Sequence, residues 1–145
     1  MTEANKVTQQ YLELYKLAVE MADRVSARRA TANAFFLTVN TALLAFVSSG
    51  SLDMLWLVAL AGMALSGTWW VLLKSYRNLN AAKFSVIIEM ENNLDAKIFG
   101  EEWMRLKENR AQGRLARYAE FGAVERLVPL IFAVLYAAVF AGTVL

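Results

Sequence analysis

Three stretches of the chain are almost wholly apolar, and the segments between them are strongly polar. The apolar runs are roughly Ala34–Ser49, Met54–Leu73 and Leu127–Leu145. Each approaches the ~20 residues that a helix, at 1.5 Å rise, needs to cross the hydrocarbon core of a bilayer. None contains Asp, Glu, Lys, Arg or His.

The intervening pattern is helical. Asn5–Arg29 lacks Gly and Pro, and Val7, Tyr11, Leu14, Ala18, Met21 and Val25 recur at alternating spacings of four and three. That is the seam of helix-on-helix packing, and it fits either the chain's own helices or a neighbouring subunit. No breaker separates this segment from the first apolar run, so one continuous helix into the membrane is predicted. The second run continues helically past Lys74 to about Asn92, which predicts one helix of about 40 residues, half of it beyond the lipid. Asn92, Asn93, Asp95 and Gly100 predict a break. Glu101–Arg126 reads as helix again, bent or interrupted near Gly113 and Gly122, with Trp103, Leu106, Leu115, Tyr118 and Phe121 as apolar anchors. Pro129 is expected in the first turn of the last span, where a missing N–H costs little.

Small residues suggest where the spans approach one another. Ala59, Gly62 and Ser66, and beside them Ala61, Ala64 and Gly67, allow close contact on the second span; Ala133, Ala137 and Ala141 do so on the third. Trp56 at one end of the second span and Trp69 and Trp70 at the other read as an interfacial aromatic belt. The fold class is therefore an all-α integral membrane protein with three transmembrane helices plus cytoplasmic helices, the second span extended into a long cytoplasmic helix. Residues 1–30 form a cytoplasmic N-terminal helix, 31–73 a transmembrane hairpin, 74–126 a cytoplasmic helical region and 127–145 the third transmembrane helix.

Charge gives this arrangement a direction. Five of the fifteen basic residues precede the first run (Lys6, Lys16, Arg24, Arg28, Arg29), and the other ten lie between Lys74 and Arg126. None falls in the link Ser48–Asp53 or after Arg126. The positive-inside bias then puts the N-terminus in the cytoplasm and the C-terminus outside. Twelve of the thirteen acids share the basic side, so the cytoplasmic surface is of mixed sign and no nucleic-acid partner is expected. The polar segment Met1–Arg29 does not read as a signal peptide, and the first span is expected to remain as an anchor.

Candidate chemistry is sparse. Apolar residues make up 58% of the 145, and Cys and His are absent, which excludes thiol chemistry, the usual zinc sites and His-dependent catalysis. No phosphate loop or paired-acid motif is present, and Glu89 and Glu91 point to different helix faces, so neither an enzyme nor a cofactor is expected. Spans without Asp, Glu, Lys, Arg or His also argue against ion-coupled transport. The first span is nonetheless polar. Asn33 and Asn40, seven apart on one face, and Thr38 and Thr41 on the adjoining face make a stripe that must face protein or water, through interhelical hydrogen bonds or as the lining of a conduit. Arg28, Arg29, Lys74 and Arg77 are placed to meet lipid head groups, and Tyr76, Asn78 and Asn80 extend the polar cluster around Arg77. Glu20–Arg24 is one of several exposed pairs worth a few tenths of a kcal/mol.

The segments LYKLAVEMADRVSARRATANAFFLTVNTALLAF, WWVLLKSYRNLNAAKFSVIIEMENNL, FGEEW and VERLVPLIFAVLYAAV, in that order, resemble the RipA-like octameric membrane protein family. A looser similarity is to the SLATT group of membrane effectors, which are described with two spans. The first resemblance implies a homo-octamer in the bacterial cytoplasmic membrane, with itself and membrane lipids as partners and an unidentified cytoplasmic protein as a further one. Neither resemblance supplies catalytic or ligand residues. Two functions remain open: a structural or regulatory assembly, and a passive channel or pore-forming effector lined by the polar first span.

Overall fold

The computed structural model describes the backbone of residues 3–48, 55–94, 96–111 and 116–144, and the side chains of residues 8–48, 55–94, 96–108 and 125–143. The link carrying Gly50 and Asp53, together with Asp95, Gly113 and Leu115, lies outside the described residues, as do the side chains of Tyr118 and Phe121. Four helices follow one another: α1 (Glu3–Ser48), α2 (Leu55–Glu91), α3 (Ile98–Ala111) and α4 (Ala116–Val144). The described residues contain no strand. Three of the helices are long and apolar enough to cross a membrane. The protein is an all-helical membrane protein.

The two long helices form as the uninterrupted sequence predicts. Helix α1 has 46 residues and α2 has 37, about 69 and 55 Å at 1.5 Å per residue. Both exceed a ~30 Å hydrocarbon core, so the part of each that carries charge must project beyond lipid. The break also falls where expected: α2 stops at Glu91, and the turn is closed by the N–H groups of Asn92, Asn93 and Leu94 bonding the carbonyls of Glu89, Met90 and Glu91.

The helices contribute to two compact units. One comprises Met1–Arg28 with Tyr76–Ala116, the other Arg29–Ser75 with Arg117–Leu145. In the first unit α1 turns Tyr11, Tyr15, Ala18, Ala22 and Val25 inward. This seam keeps the predicted four–three rhythm but shifts its phase. Leu14 and Met21, expected on it, are exposed, because Tyr15 takes the inward position to reach a polar partner on α2. Ile87 and Glu91 of α2 are fully buried against this face.

In the second unit the core is Phe36, Trp69 and Leu73, with Leu65, Leu72, Val128 and Phe132 packed on it. Phe36 and Trp69 stack with centroids 5.9 Å apart and planes 8° from parallel, and Phe132 meets Trp69 at 6.2 Å. Trp69 therefore belongs to the core and not to an interfacial belt, whereas Trp56 and Trp70 remain exposed. Of the small-residue stripes on α2, Ala59, Gly62 and Ser66 are buried, while Ala61, Ala64 and Gly67 are exposed. Helix α4 packs through Val128, Phe132 and Tyr136 and leaves Ala137 exposed. Pro129 is not in a first helical turn: α4 begins at Ala116, so the proline lies buried inside the helix. There it denies the Glu125 carbonyl its usual N–H partner, a cost that packing on both sides of it must offset.

Gly62 of α2 lies directly against the Tyr136 ring of α4. A Cβ at this position would clash with that ring, whereas one at Gly67 would meet nothing within 4 Å. Gly62→Ala should therefore lower stability by about 1–3 kcal/mol despite the gain in helix propensity, while Gly67→Ala should be neutral or stabilising. Thermal melts of the two variants in the same detergent, followed by circular dichroism, check this; equal midpoints would contradict the packing described.

Candidate functional site

Two polar clusters stand out, one in each unit. In the second unit the cluster is built on the amide of Asn40, which is fully buried between apolar helices. Its Nδ2 donates to the Phe36 carbonyl at 2.8 Å, and its Oδ1 accepts from the Ser66 hydroxyl at 3.2 Å. The Asn40 backbone carbonyl also accepts from the Tyr136 hydroxyl at 2.9 Å. One residue of α1 thus joins α2 and α4. One heptad earlier, Asn33 Oδ1 accepts from the indole N–H of Trp69 at 2.8 Å.

Spacing puts Asn33 and Asn40 on one face of α1 and Thr38 and Thr41 on the adjoining one, and the structure keeps that division. Both asparagines turn their Oδ1 atoms to donors on α2, while the Asn40 Nδ2 is held by the Phe36 carbonyl of its own helix. Thr38 and Thr41 are exposed on another face, and the Thr38 hydroxyl returns to the Ala34 carbonyl of its own helix at 2.8 Å. Such a bond satisfies a hydroxyl without a neighbouring helix.

The basic candidates are engaged individually. Arg29 approaches Glu125 at 3.8 Å with both side chains about one-third exposed or less. Lys74 lies 5.7 Å from the centroid of the Trp70 ring, a cation–π contact. Arg28 is exposed and Arg77 half-buried.

The cluster in the first unit centres on Glu91, which the sequence weighs only as a possible paired acid with Glu89 and which is not among the candidate site residues. Its carboxylate is fully buried. Oε1 accepts from the Phe99 N–H at 2.8 Å and the Tyr15 hydroxyl at 2.9 Å, and Oε2 accepts from the Gly100 N–H at 2.8 Å. The Ile98 N–H also faces it. These N–H groups are the unpaired donors of the first turn of α3, so the last residue of α2 caps the next helix at its positive end. A Cβ on Gly100 would stand 3.3 Å from Oε2, tight against the carboxylate. Tyr11 completes the clasp by donating to the Met90 carbonyl at 2.8 Å and accepting from Asn93 Nδ2 at 3.0 Å.

Burial alone would raise the Glu91 carboxyl, but the donors from Phe99, Gly100, Tyr15 and Ile98 hold it below its ordinary value. The Tyr15 phenol is pushed up to about 12, by burial first and then by its hydrogen bond to Glu91 and that residue's negative charge. An acid with both oxygens occupied by donors is poorly placed to shuttle protons, so the arrangement suits a structural clasp. One signal was available in the sequence. Ala59, Gly62, Ser66, Trp69, Leu73, Tyr76, Asn80, Lys83 and Ile87 trace a four–three rhythm along α2 whose next step is Met90, and Glu91, one turn beyond Ile87, borders that seam as an acid where burial is called for.

Residues 12–145 match the sequence profile of the octameric membrane protein family (8xMP). No curated protein and no solved structure matches the chain.

The Glu91 clasp carries a pH signature. A lowered carboxyl gives stability that is full above the ordinary glutamate range and lost as pH falls through its depressed value. The raised phenol gives stability that is full below about 10 and lost as pH climbs toward about 12. The protection of the Phe99 and Gly100 amides, taken relative to the intrinsic exchange rate at each pH, should therefore be greatest between these limits. Glu91→Ala should abolish that protection and cost on the order of 3 kcal/mol; protection that survives the substitution would contradict the capping role.

Proposed function

This chain belongs to the octameric membrane protein family, and from that premise we propose that it acts as a homo-octameric structural or regulatory assembly of a bacterial cytoplasmic membrane, without catalytic activity. The observation that carries this reading is the internal use of the intramembrane amides. Asn33 and Asn40 bond to Trp69, Ser66 and backbone within one protomer, and many of the side chains left on the outside of the spans are large and apolar. Phe35, Phe46, Leu57, Leu60, Val71, Leu130 and Val134 are examples. Such surfaces suit lipid or close packing between subunits.

The orientation proposed is N-terminus inside and C-terminus outside, supported by the confinement of all fifteen basic residues to one side of the spans. Arg28, Arg29, Lys74 and Arg77 are proposed to meet anionic head groups, and the helices beyond the lipid to receive a cytoplasmic protein partner. A second reading has one observation in its favour. Thr38 and Thr41 are exposed on α1, and a ring of such hydroxyls could line a passive conduit.

Planar-bilayer recording on the purified assembly separates the two. The assembly reading expects no conductance above the lipid baseline. Stable unitary currents that change when Thr38 and Thr41 are replaced by valine would overturn it in favour of the conduit. The same currents altered by Asn40→Leu but not by the threonine changes would place the path within the protomer and contradict the amide bonding described.

A further inference from the structure

In the first unit α1 satisfies one face with Tyr11, Tyr15, Ala18, Ala22 and Val25 and leaves a second apolar face uncovered. Leu14, Leu17 and Met21, at 58, 50 and 45% exposure, lie at spacings of three and four and form one stripe. On α3 a second uncovered group consists of Trp103 and Met104, at 54 and 59% exposure. Elsewhere in the unit Leu79 and Val86 of α2 are exposed seven residues apart, and single exposed apolar side chains of that kind are ordinary. A stripe of three and a tryptophan–methionine pair are different. Aromatic and methionine side chains are enriched where proteins meet.

We propose that the α1 stripe of each protomer docks on the α3 Trp103–Met104 surface of the next copy. The proposal rests on the octameric reading above. A closed cyclic ring of more than two subunits is built from one repeated head-to-tail contact, so each protomer must carry two different and complementary patches. The first unit supplies such a pair on separate helices. Charge is mixed around both patches: Glu13, Lys16 and Glu20 border the α1 stripe, and Glu102, Arg105 and Lys107, the last held 5.9 Å from the Trp103 ring centroid, border the α3 patch, so opposite charges are available to pair around the apolar contact. A self-matching contact between two α1 stripes would leave the α3 patch uncovered and would close at a dimer.

The absence of cysteine from the chain makes the test clean. Leu17→Cys with Met104→Cys is introduced into the full-length protein, the intact mass of the complex in detergent is measured, and a short bis-maleimide is added. The expected result is a ladder of covalent multimers reaching eight chains, with each single-cysteine variant remaining monomeric on a denaturing gel. Met21→Cys with Met104→Cys is the second pair should the first not assemble. An octamer by mass that yields no ladder from either pair overturns the proposed contact and leaves the octameric reading standing. Covalent dimers from Leu17→Cys alone overturn it in favour of a self-matching interface. A mass below eight chains for the unmodified protein is a failure of the octameric reading itself and overturns the contact with it.

Discussion

Lipid offers no hydrogen bonds, and the second unit is organised around that fact. An amide facing acyl chains loses the partners water would give it, at a cost of several kcal/mol. Asn33 and Asn40 must therefore turn inward, and their turning inward fixes which face of α1 meets α2. Ser66 and Trp69 then lie opposite them on α2, and Tyr136 of α4 reaches the Asn40 carbonyl. Each interhelical bond of this kind contributes only about 0.6 kcal/mol on average in membranes, up to about 1.7. Their larger effect is on register, because a slip of one residue would expose an amide to lipid. Close packing follows from the same alignment: Phe36 is held flat on Trp69, and Gly62 admits the Tyr136 ring.

Beyond the lipid the governing group is an acid instead of an amide. Glu91 is buried, and its charge persists because donors from α3 and Tyr15 converge on it. Removing a single donor would leave a charge short of partners, which is what makes such a clasp specific. The tyrosines explain the phase of the α1 seam. Tyr11 and Tyr15 are one helical turn apart, and together they hold the Met90 carbonyl and the Glu91 carboxylate at the end of α2. With those two turned inward, Leu14 and Met21 are carried outward.

Much of the architecture was legible because it rests on local rules. The number of spans, the continuity of α1 and α2 and the break after Glu91 follow from apolar length, the absence of breakers and a cluster of Asn and Asp. What failed was whatever depended on a partner distant in sequence. Trp69 looks like an interface anchor until Asn33, 36 residues earlier, takes its N–H. Glu91 looks like a solvated acid until α3 folds back over it. The proline rule placed Pro129 at a helix start, yet packing by Val128, Phe132 and Tyr136 keeps α4 helical through it. Spacing separated the face of Asn33 and Asn40 from that of Thr38 and Thr41 but could not name their partners, since Ser66, Trp69 and Tyr136 lie far along the chain and the Thr38 hydroxyl bonds within its own helix.

Side-chain amide exchange bears most directly on the claim that the intramembrane asparagines are spent inside the protomer. Site-resolved nitrogen NMR of the assembled protein transferred to deuterated buffer would follow Asn33 and Asn40, with the exposed Asn78 and Asn92 as internal standards. The Asn40 Nδ2 protons should persist long after those of Asn78 and Asn92 have vanished. Exchange at Asn40 as fast as at Asn92 would mean that water reaches the junction of α1, α2 and α4, and would contradict the internal use of the amides.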